Sequence, residues 1–302
     1  MMTSVNSVLD IGLLKTAVPY IRAYKGKVFV VKLGGEICSN ETALDNIIEQ
    51  LSLLYQVGIK IVLVHGSGPQ ATELAERLGI ESPKINGRRI TSAAMLEVAK
   101  MTFNGTVNTN LVAAFRKHHT PAAGLSGVDG NLITAVKRPL TQLVDQATGE
   151  TKNVDFGFVG DIVEINTEVL SQLLAGDYIP VVCSLAADVD GQVLNINADT
   201  VASALARAIK AEKYVLLSNV DGVMSDVKNP DSLCSQLTIA EIGQLVRDGS
   251  IGGGMMPKVQ ACIDALEGGI ARAHIVNGLT PDSLLKEIFT NEGCGTLLLT
   301  DS

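Results

Sequence analysis

Short runs of apolar, mostly β-branched residues recur along the chain, and each is closed by a glycine or a small polar residue. Segments with apolar residues at helical spacing lie between them. The clearest predicted strands span residues 28–33, 59–64, 179–184, 214–218 and 273–276. The predicted helices span residues 41–55, 69–78, 93–117, 198–211, 238–246 and 255–266.

The predicted strands are continuously apolar and do not alternate with polar positions. This pattern is typical of a mainly parallel sheet that has both faces covered by helices, so the fold class is α/β. In such sheets ligands bind beyond the carboxyl ends of the strands. A chain of 302 residues has room for one large α/β unit or for two fused lobes of ~150 residues each.

One stretch departs from this rhythm. Residues 137–164 are polar, contain an Ala-Thr-Gly-Glu turn and have flanks that alternate apolar and polar positions, which predicts a β-hairpin insertion. The hairpin is either a lid over a site or a tolerated surface excursion. After it, residues 185–191 are predicted to form a hinge into the C-terminal half.

Composition and charge exclude several function classes. The 11 aromatic residues leave little surface for stacking bases, and 32 acidic against 24 basic residues give a net charge of −8, which repels nucleic acids and anionic membranes. The five cysteines show no metal or disulfide spacing, and no apolar run reaches the length of a membrane span. With no signal peptide pattern at the N-terminus, a cytoplasmic location is expected.

The first predicted strand ends in Lys32, Leu33, Gly34 and Gly35. A lysine in an apolar strand loses hydration unless its ammonium group emerges beside an anion, and two glycines let backbone amides approach that anion closely. The alternative is an edge-strand lysine beside an ordinary turn.

The second predicted strand ends in a similar turn, which contains His65, Ser67, Gly68 and Pro69. Proline at the start of the next helix and the free amides there predict an anion site, while a strand-end histidine is more often structural. Neither turn is a Walker A loop or a dinucleotide G-x-G-x-x-G, so those two types of nucleotide site are disfavoured.

Two arginines, Arg88 and Arg89, precede the long predicted helix at 93–117. A guanidinium group at this place is suited to binding a carboxylate through two parallel hydrogen bonds. A solvated position on the surface is the alternative for at least one of the two.

In the C-terminal half, Asn195, Asn197 and Asp199 lead into a predicted helix. If the segment is extended, all three side chains point to one site. Alternatively, Asn197 caps the helix and Asp199 complements its dipole.

A polar turn and a glycine-rich turn follow in the C-terminal half. One turn after a strand contains Asn219, Asp221 and Gly222. In the other, three consecutive glycines precede Lys258. A run of glycines is flexible, so it is either a mobile loop that closes on a phosphate or a plain linker. Two lysines, two anion-binding turns, an arginine and an acidic residue together suit phosphoryl transfer to an anionic acceptor.

These motifs make the sequence similar to the amino-acid kinase family, and within it to the members that phosphorylate N-acetylglutamate. The resemblance covers residues 17–298 through V-K-L-G-G, V-H-G-x-G-P, N-G-x-R-x-T, G-L-S-G-x-D-G-N-L, N-I-N-A-D, G-G-M-x-P-K and E-I-F-T-x-x-G-x-G-T. It implies an αβα sandwich. Residues 1–26 would be an N-terminal helix extension, 27–186 the acetylglutamate lobe and 187–302 the lobe for ATP and arginine.

The resemblance also implies roles for individual residues. Lys32 and Lys258 would stabilise the transferring phosphoryl group, and Asp199 would organise the two lysines. The acceptor would bind to Ser67, Gly68, Arg89, Asn195 and Asn197, whereas ATP with Mg²⁺ on its phosphates would bind to Gly34, Gly35, Asn219, Asp221, Gly222, Gly252, Gly253 and Gly254. No protein metal site is implied.

Two positions depart from the family pattern. Ser67 stands where members have the middle one of three glycines, and Arg88 stands where they have an apolar residue. Both lie on the acceptor side. The alternatives are therefore the same chemistry on N-succinylglutamate or a carrier-linked aminoadipate, or a non-catalytic arginine sensor.

Residues 13–27 resemble the extra N-terminal helix of the arginine-inhibited members, which links dimers into a hexameric ring. His274, Glu287 and Gly293 fall where those enzymes bind arginine, although Asn277-Gly278-Leu279 replaces the commoner D-G-R. The resemblance thus implies feedback inhibition by L-arginine and a homodimer that assembles into a hexamer.

Overall fold

The computed structural model describes residues 11–85, 88–144, 151–226 and 228–301. Its helices are α1 (Ile11–Tyr24), α2 (Gly35–Cys38), α3 (Glu41–Gln56), α4 (Gly68–Arg77), α5 (Ala93–Ala99), α6 (Asn108–Lys117), α7 (Glu168–Ala175), α8 (Ala198–Ala208), α9 (Ile239–Arg247), α10 (Met256–Glu267) and α11 (Ser283–Phe289). A π-helix (Lys100–Val107) joins α5 to α6, and short 3₁₀ turns lie at Asp129–Asn131, Pro230–Ser232 and Gly253–Met255.

The strands are β1 (Val28–Leu33), β2 (Lys60–His65), β3 (Lys84–Ile85), β4 (Arg88–Arg89), β5 (Ala122–Ser126), β6 (Ile133–Lys137), β7 (Thr141–Val144), β8 (Thr151–Val154), β9 (Gly160–Ile165), β10 (Ile179–Cys183), β11 (Leu185–Ala187), β12 (Val193–Asn195), β13 (Lys213–Ser218), β14 (Gln236–Thr238), β15 (Ala273–Asn277) and β16 (Thr296–Leu299). All the predicted strands are present. The largest shift among the predicted helices is at α8, which ends at Ala208 and not at 211.

One sheet of eight strands runs through the molecule in the order β14-β16-β15-β13-β1-β2-β10-β5. Its pairs are parallel except for β15 with β16. The prediction of a mainly parallel sheet is therefore confirmed.

Side chains of β1 pack alternately into two cores, one on each face of the sheet. Phe29 and Val31 lie in the core that includes Ile47 of α3, whereas Val30 lies in the core that includes Val201 of α8. Because a strand directs successive side chains to opposite faces, both faces must be covered to bury an unbroken apolar run. This arrangement is the predicted αβα sandwich.

The 137–164 stretch contains the predicted hairpin. Strands β7 and β8 pair in antiparallel fashion, and so do the flanking strands β6 and β9 in a second sheet of order β12-β11-β6-β9. The Ala-Thr-Gly-Glu turn lies outside the described residues. Whether the hairpin acts as a lid stays a prediction.

Two predictions about local structure differ from what is observed. The helix at 93–117 is interrupted by the π-helix, and part of the expected 185–191 hinge is the buried strand β11. Leu185 and Ala186 are buried and β11 pairs with β12 and β6, so whether 185–191 acts as a hinge stays a prediction.

The eight-stranded sheet runs without a break across both predicted lobes, since β1 pairs with β13. The division into lobes at residue 186 stays a prediction. The N-terminal helix is present as α1, and its Tyr20 ring packs edge-on against Phe289 of α11 at 6.3 Å.

Two further observations bear on what the chain can bind. Across the described ranges, no helix is long and apolar enough to cross a membrane. All five cysteines are free thiols, and the cytoplasmic location stays a prediction.

Candidate active site

A cleft of about 1120 Å³ opens at the carboxyl ends of β1 and β2, where the sequence analysis expected a ligand. Both glycine turns and the start of α8 contribute to its walls. Ten of the predicted site residues line it: Lys32, Gly35, Ser67, Gly68, Arg89, Asn195, Asn197, Asp199, Gly253 and Gly254.

Lys32 and Asp199 form a buried ion pair in this cleft. Lys32 Nζ lies 2.7 Å from Asp199 Oδ1, and the two side chains are 9% and 12% exposed. Lys32 lies on the same face of β1 as Val30, and α8 covers that face. Lys32 thus has an anionic neighbour, which is a carboxylate of the protein itself. The alternative of an edge-strand lysine is wrong, because β1 lies between β13 and β2 in the sheet.

The glycine turns after β1 and β2 are in close contact. A Cβ at Gly35 would lie 2.7 Å from Pro69 Cδ, so only glycine allows the turns to approach this closely. Gln70 joins them further, since its Nε2 donates to the carbonyl of Gly35 at 2.8 Å.

The two glycines after β1 are not equivalent. The amide of Gly34 donates to the carbonyl of Leu217 at 3.1 Å, and Gly34 does not line the cleft as the described residues form it. This bond argues against the expected role of Gly34 as a phosphate donor. Gly35 does face the cleft and stays a candidate.

Arg89 is half-buried beside the turn after β2. Its Nη2 donates to the carbonyl of Gly68 at 2.9 Å and to Thr72 Oγ1 at 2.7 Å, and its Nη1 donates to Ser82 Oγ. Burial lowers the pKa of Arg89, but a guanidinium group stays charged at neutral pH. The side chain of Arg88 lies outside what the structure describes.

The Asn195-to-Asp199 segment serves the protein as well as the cleft. Asn197 Oδ1 accepts from the amide of Asp199 at 2.7 Å, so it caps α8 as the alternative held. Asn195 Nδ2 donates to Thr91 Oγ1 at 3.1 Å. Both asparagines nevertheless line the cleft, so their roles in substrate binding stay predictions.

The glycine-rich segment before α10 forms part of the cleft wall. Gly253 and Gly254 line it, and Gly253 has a φ of +50°, which favours glycine. A Cβ at Gly252, Gly253 or Gly254 would meet nothing within 4 Å. Lys258 Nζ donates to the carbonyl of Gly254 at 3.0 Å and does not reach the described cleft lining.

The predicted nucleotide turn follows β13 at the same edge of the sheet but outside the described cleft lining. Asp221 Oδ1 accepts from Asn277 Nδ2 at 2.8 Å. A Cβ at Gly222 would lie 2.4 Å from Thr296 Oγ1, so this glycine is required by packing. The exposed Asn219 is free to contact a ligand, and the binding roles of all three residues stay predictions.

Sequence reasoning missed several cleft residues. Arg138 lines the cleft, is paired with Asp161 at 2.6 Å and lies over the ring of Phe156 at 5.9 Å. Lys84 and Phe103 also line it. The polar stretch that contains Arg138 predicts only a hairpin, and no spacing pattern connects it to the site.

The three residues predicted to bind arginine lie together, away from the cleft. His274 Nδ1 donates to Glu287 Oε1 at 2.7 Å, and a Cβ at Gly293 would lie 2.6 Å from Glu287 Oε2. Lys213, which the sequence analysis did not single out, donates to His274 Nε2 at 3.1 Å and lies over the ring of Tyr24 of α1 at 5.2 Å.

Burial governs the ionisation of this cluster. It lowers the pKa of Lys213 to about 8, assisted by repulsion from Arg272, and it lowers the pKa of His274. Burial would raise the pKa of Glu287, but hydrogen bonds from His274 and two backbone amides outweigh it and the pKa is lowered. Glu287 is therefore a buried carboxylate.

Known proteins are similar to this chain in sequence and in fold. The model of the amino acid kinase family matches residues 27–277. Acetylglutamate kinase of Myxococcus xanthus is 42% identical over 96% of this chain and 94% of its own length. The enzymes of Symbiobacterium thermophilum (43% identity over 95% of this chain and 97% of that one) and Methanocaldococcus jannaschii (41% over 96% of each chain) are similarly related.

Solved structures agree. N-acetylglutamate synthase from Neisseria gonorrhoeae, complexed with coenzyme A and N-acetyl-glutamate, gives a TM-score of 0.81 at 28% identity, covering 97% of this chain and 64% of that one. Its complex with coenzyme A and L-arginine gives 0.80 at 25% identity, covering 97% and 66%. This chain therefore belongs to the amino acid kinase family and, within it, to the acetylglutamate kinases.

Proposed function

We propose that this chain transfers the γ-phosphoryl group of ATP to the side-chain carboxylate of N-acetyl-L-glutamate, a step of arginine biosynthesis. The products are N-acetylglutamyl 5-phosphate and ADP. The name of its relatives describes this activity. The observation that supports the proposal most is the buried Lys32–Asp199 ion pair, which holds a cation in a cleft that both glycine turns line.

The reaction is a direct transfer. A carboxylate oxygen of the acceptor attacks the γ-phosphorus, and the bond to the oxygen that bridges the β- and γ-phosphates breaks, so that ADP leaves with the electron pair. The protein contributes position and charge, because the transition state concentrates negative charge on the moving group. Lys32 stabilises that charge from one side, Lys258 does so from the other, and Asp199 holds Lys32 in place.

The acceptor binds at the wall formed by the turn after β2 and the start of α8. The amide of Gly68 and the guanidinium group of Arg89 attract its carboxylates, and Asn195 and Asn197 provide amide groups in the same cleft. Arg89 must exchange its bonds to Gly68 and Thr72 to bind a carboxylate with both nitrogens.

The nucleotide lies between Gly35 and the Gly252-to-Gly254 loop, with Asn219 beside it. Mg²⁺ would be held by the phosphate oxygens of ATP and would neutralise part of their charge. Among the described residues, no group of three or more His, Cys, Asp or Glu is placed to hold a metal. The lysines and backbone amides of the cleft suit a metal that is held mainly by phosphate oxygens.

A panel of acceptors tests this proposal. Acyl phosphate trapped as the hydroxamate is measured for N-acetylglutamate, N-succinylglutamate and a carrier-linked aminoadipate, with ADP release as the second readout. We expect N-acetylglutamate to give the highest kcat/KM and one ADP per hydroxamate. Preference for another acceptor would contradict the substrate assignment, and no turnover with any acceptor would support a non-catalytic arginine sensor.

L-Arginine is proposed as an inhibitor that binds at His274, Glu287 and Gly293. The buried carboxylate of Glu287 suits a guanidinium group, and one neighbour was solved with L-arginine. Helix α1 contacts this cluster through Tyr24, so arginine binding has a route to an N-terminal helix that links homodimers into a hexamer.

Inhibition and assembly are measured together. We expect millimolar arginine to lower the activity of a hexamer, Glu287→Gln to abolish inhibition, and Glu267→Gln, a surface control, to retain it. A monomer or dimer whose activity ignores arginine would overturn the regulatory proposal and leave the catalytic one intact.

A further inference from the structure

Ser67 stands at the N-cap of α4, but its hydroxyl does not cap the helix. An N-cap serine usually accepts a hydrogen bond from an amide of the first turn. Here no such bond forms, and Ser67 Oγ instead lies 3.3 Å from Nδ1 of His65. Ser67 is 1% exposed and lines the cleft.

Asn108 determines which nitrogen of His65 carries the proton. Asn108 Nδ2 lies 2.9 Å from the carbonyl oxygen of Val181 and 3.1 Å from His65 Nε2. A group that contacts a carbonyl oxygen is the amide NH₂, so it donates to the imidazole as well, and His65 Nε2 accepts. In a neutral ring the proton is then on Nδ1.

The surroundings keep this arrangement in place. His65 is fully buried, and burial lowers its pKa to about 3, so the ring is neutral at ordinary pH. Gly124 of β5 leaves the space that the Asn108 amide fills, since a Cβ there would overlap Asn108 Oδ1. Asn108 follows the π-helix, which changes the face that α6 presents relative to a continuous α-helix.

A serine that accepts from His65 has its own hydroxyl proton left to donate. Ser67 Oγ has no other hydrogen-bond partner among the described residues. The cleft therefore receives a donor, and a carboxylate is the acceptor that gains most from one. A glycine at this position would leave the buried Nδ1–H of His65 without a partner.

We propose that Asn108 and His65 orient the Ser67 hydroxyl as a hydrogen-bond donor to a carboxylate oxygen of the acceptor substrate. Ser67 touches the substrate, whereas His65 and Asn108 are positioning residues. The inference rests on the proposed function, because it assumes a carboxylate substrate at this wall.

Steady-state kinetics test the contact. Ser67→Ala is expected to raise KM for N-acetylglutamate about tenfold, as loss of a hydrogen bond to a charged group predicts, with KM for ATP within about twofold. Ser67→Gly is a second variant in case alanine disturbs the turn, and it is expected to raise KM for N-acetylglutamate by the same factor. Ser52→Ala, a buried serine on α3 with no hydroxyl partner among the described residues, is the control and leaves both constants unchanged.

A double-mutant cycle tests the positioning. His65→Leu is expected to raise the acceptor KM about fivefold in the wild-type background and not at all in the Ser67→Ala background. His65→Asn, whose amide can replace Nδ1–H, is expected to restore KM to within about twofold. Additive effects of His65→Leu and Ser67→Ala would overturn the chain of contacts.

A tautomer measurement on the intact protein completes the test. Nitrogen NMR of labelled histidine is expected to show His65 protonated on Nδ1, and protonation on Nε2 would overturn the inference without reference to any variant. If Ser67→Ala turns over with an unchanged acceptor KM, the inference about Ser67 is overturned and the proposed function still stands. Absence of wild-type turnover on every carboxylate acceptor would overturn the proposed function and, with it, this inference.

Discussion

The two lysines proposed to face the transferring phosphoryl group lie in different surroundings. Lys32 is 7% exposed on a central strand and paired with Asp199 at 2.7 Å. Lys258 follows a run of exposed glycines and donates to the carbonyl of Gly254, outside the described cleft lining. Lys32 is thus held by an ion pair, whereas the side chain of Lys258 would have to turn to reach a ligand in the cleft.

The difference separates two sources of catalysis. A preorganised charge acts without reorganisation at the moment of reaction, whereas a charge delivered by a loop can respond to the bound nucleotide. We call the wall formed by the turn after β2 and the start of α8 the rigid wall, and we propose that it sets the position of the acceptor and of the transferring phosphoryl group. In this proposal the Gly252-to-Gly254 loop completes the site once ATP is bound.

The largest effect is expected from removing the charge that holds Lys32. Asp199→Asn leaves a buried ammonium group without its counter-charge, so kcat is expected to fall about 10³-fold, with both KM values changing much less. Asp45→Asn, which breaks the exposed pair with Lys117, is the matched control and is expected to keep kcat. Wild-type turnover by Asp199→Asn would remove this residue from the mechanism.

Removing the side chain of Lys258 tests whether the second lysine acts in the transition state. Lys258→Ala is expected to lower kcat about 10²-fold and to change the Kd for ATP about twofold, because the charge is needed mainly in the transition state. Nucleotide titration and single-turnover rates measure the two quantities, with Lys117→Ala as the surface control. Equal losses in ATP binding and turnover would mean that Lys258 binds the ground state and is not a delivered catalytic charge.

The sequence predicted the surroundings of Lys32 and Asp199 better than those of Lys258. Lys32 is recognisable as a charged residue near the end of an apolar strand, and Asp199 as an acidic residue in the first turn of a helix. In a parallel sheet such ends lie at the same edge. Gly34 and Gly35 look alike in sequence, but only the fold shows that the first amide is already bonded to Leu217.

Other features had no local signal. Asn108 is one of several polar residues on α6 and follows a π-helix whose apolar spacing does not differ visibly from that of an α-helix, so no local pattern connects it to His65. Lys213 lies one position before the predicted strand at 214–218, where a lysine gives no signal of burial. Its partners Tyr24 and His274 come from distant segments of the chain.

The pH dependence of the free energy of unfolding tests whether His65, behind the rigid wall, is closed to water. Burial holds the pKa of His65 at about 3, against 6.5 for a free imidazole, so the unfolded chain binds more protons between these values. The free energy of unfolding therefore falls as the pH drops below 6.5, by about 1.4 kcal/mol per unit from this residue.

His274 contributes in the same direction, so the measurement is the difference between wild type and His65→Asn. Chemical denaturation at pH 7 and pH 5 is expected to show that wild type loses about 2 kcal/mol more than the variant over this interval. Equal losses would mean that water reaches His65, and the wall would then be no more rigid than the glycine loop.

The smallest effect is expected at Arg89, which belongs to the rigid wall but must exchange partners to bind substrate. Its guanidinium group donates to Gly68 and Thr72, and a lysine cannot reproduce this fork. Arg89→Lys is expected to raise KM for N-acetylglutamate about tenfold, with kcat and the ATP constant within about threefold. An unchanged acceptor KM would show that Arg89 only braces α4, and the rigid wall would then bind its substrate through Ser67, Gly68 and the asparagines alone.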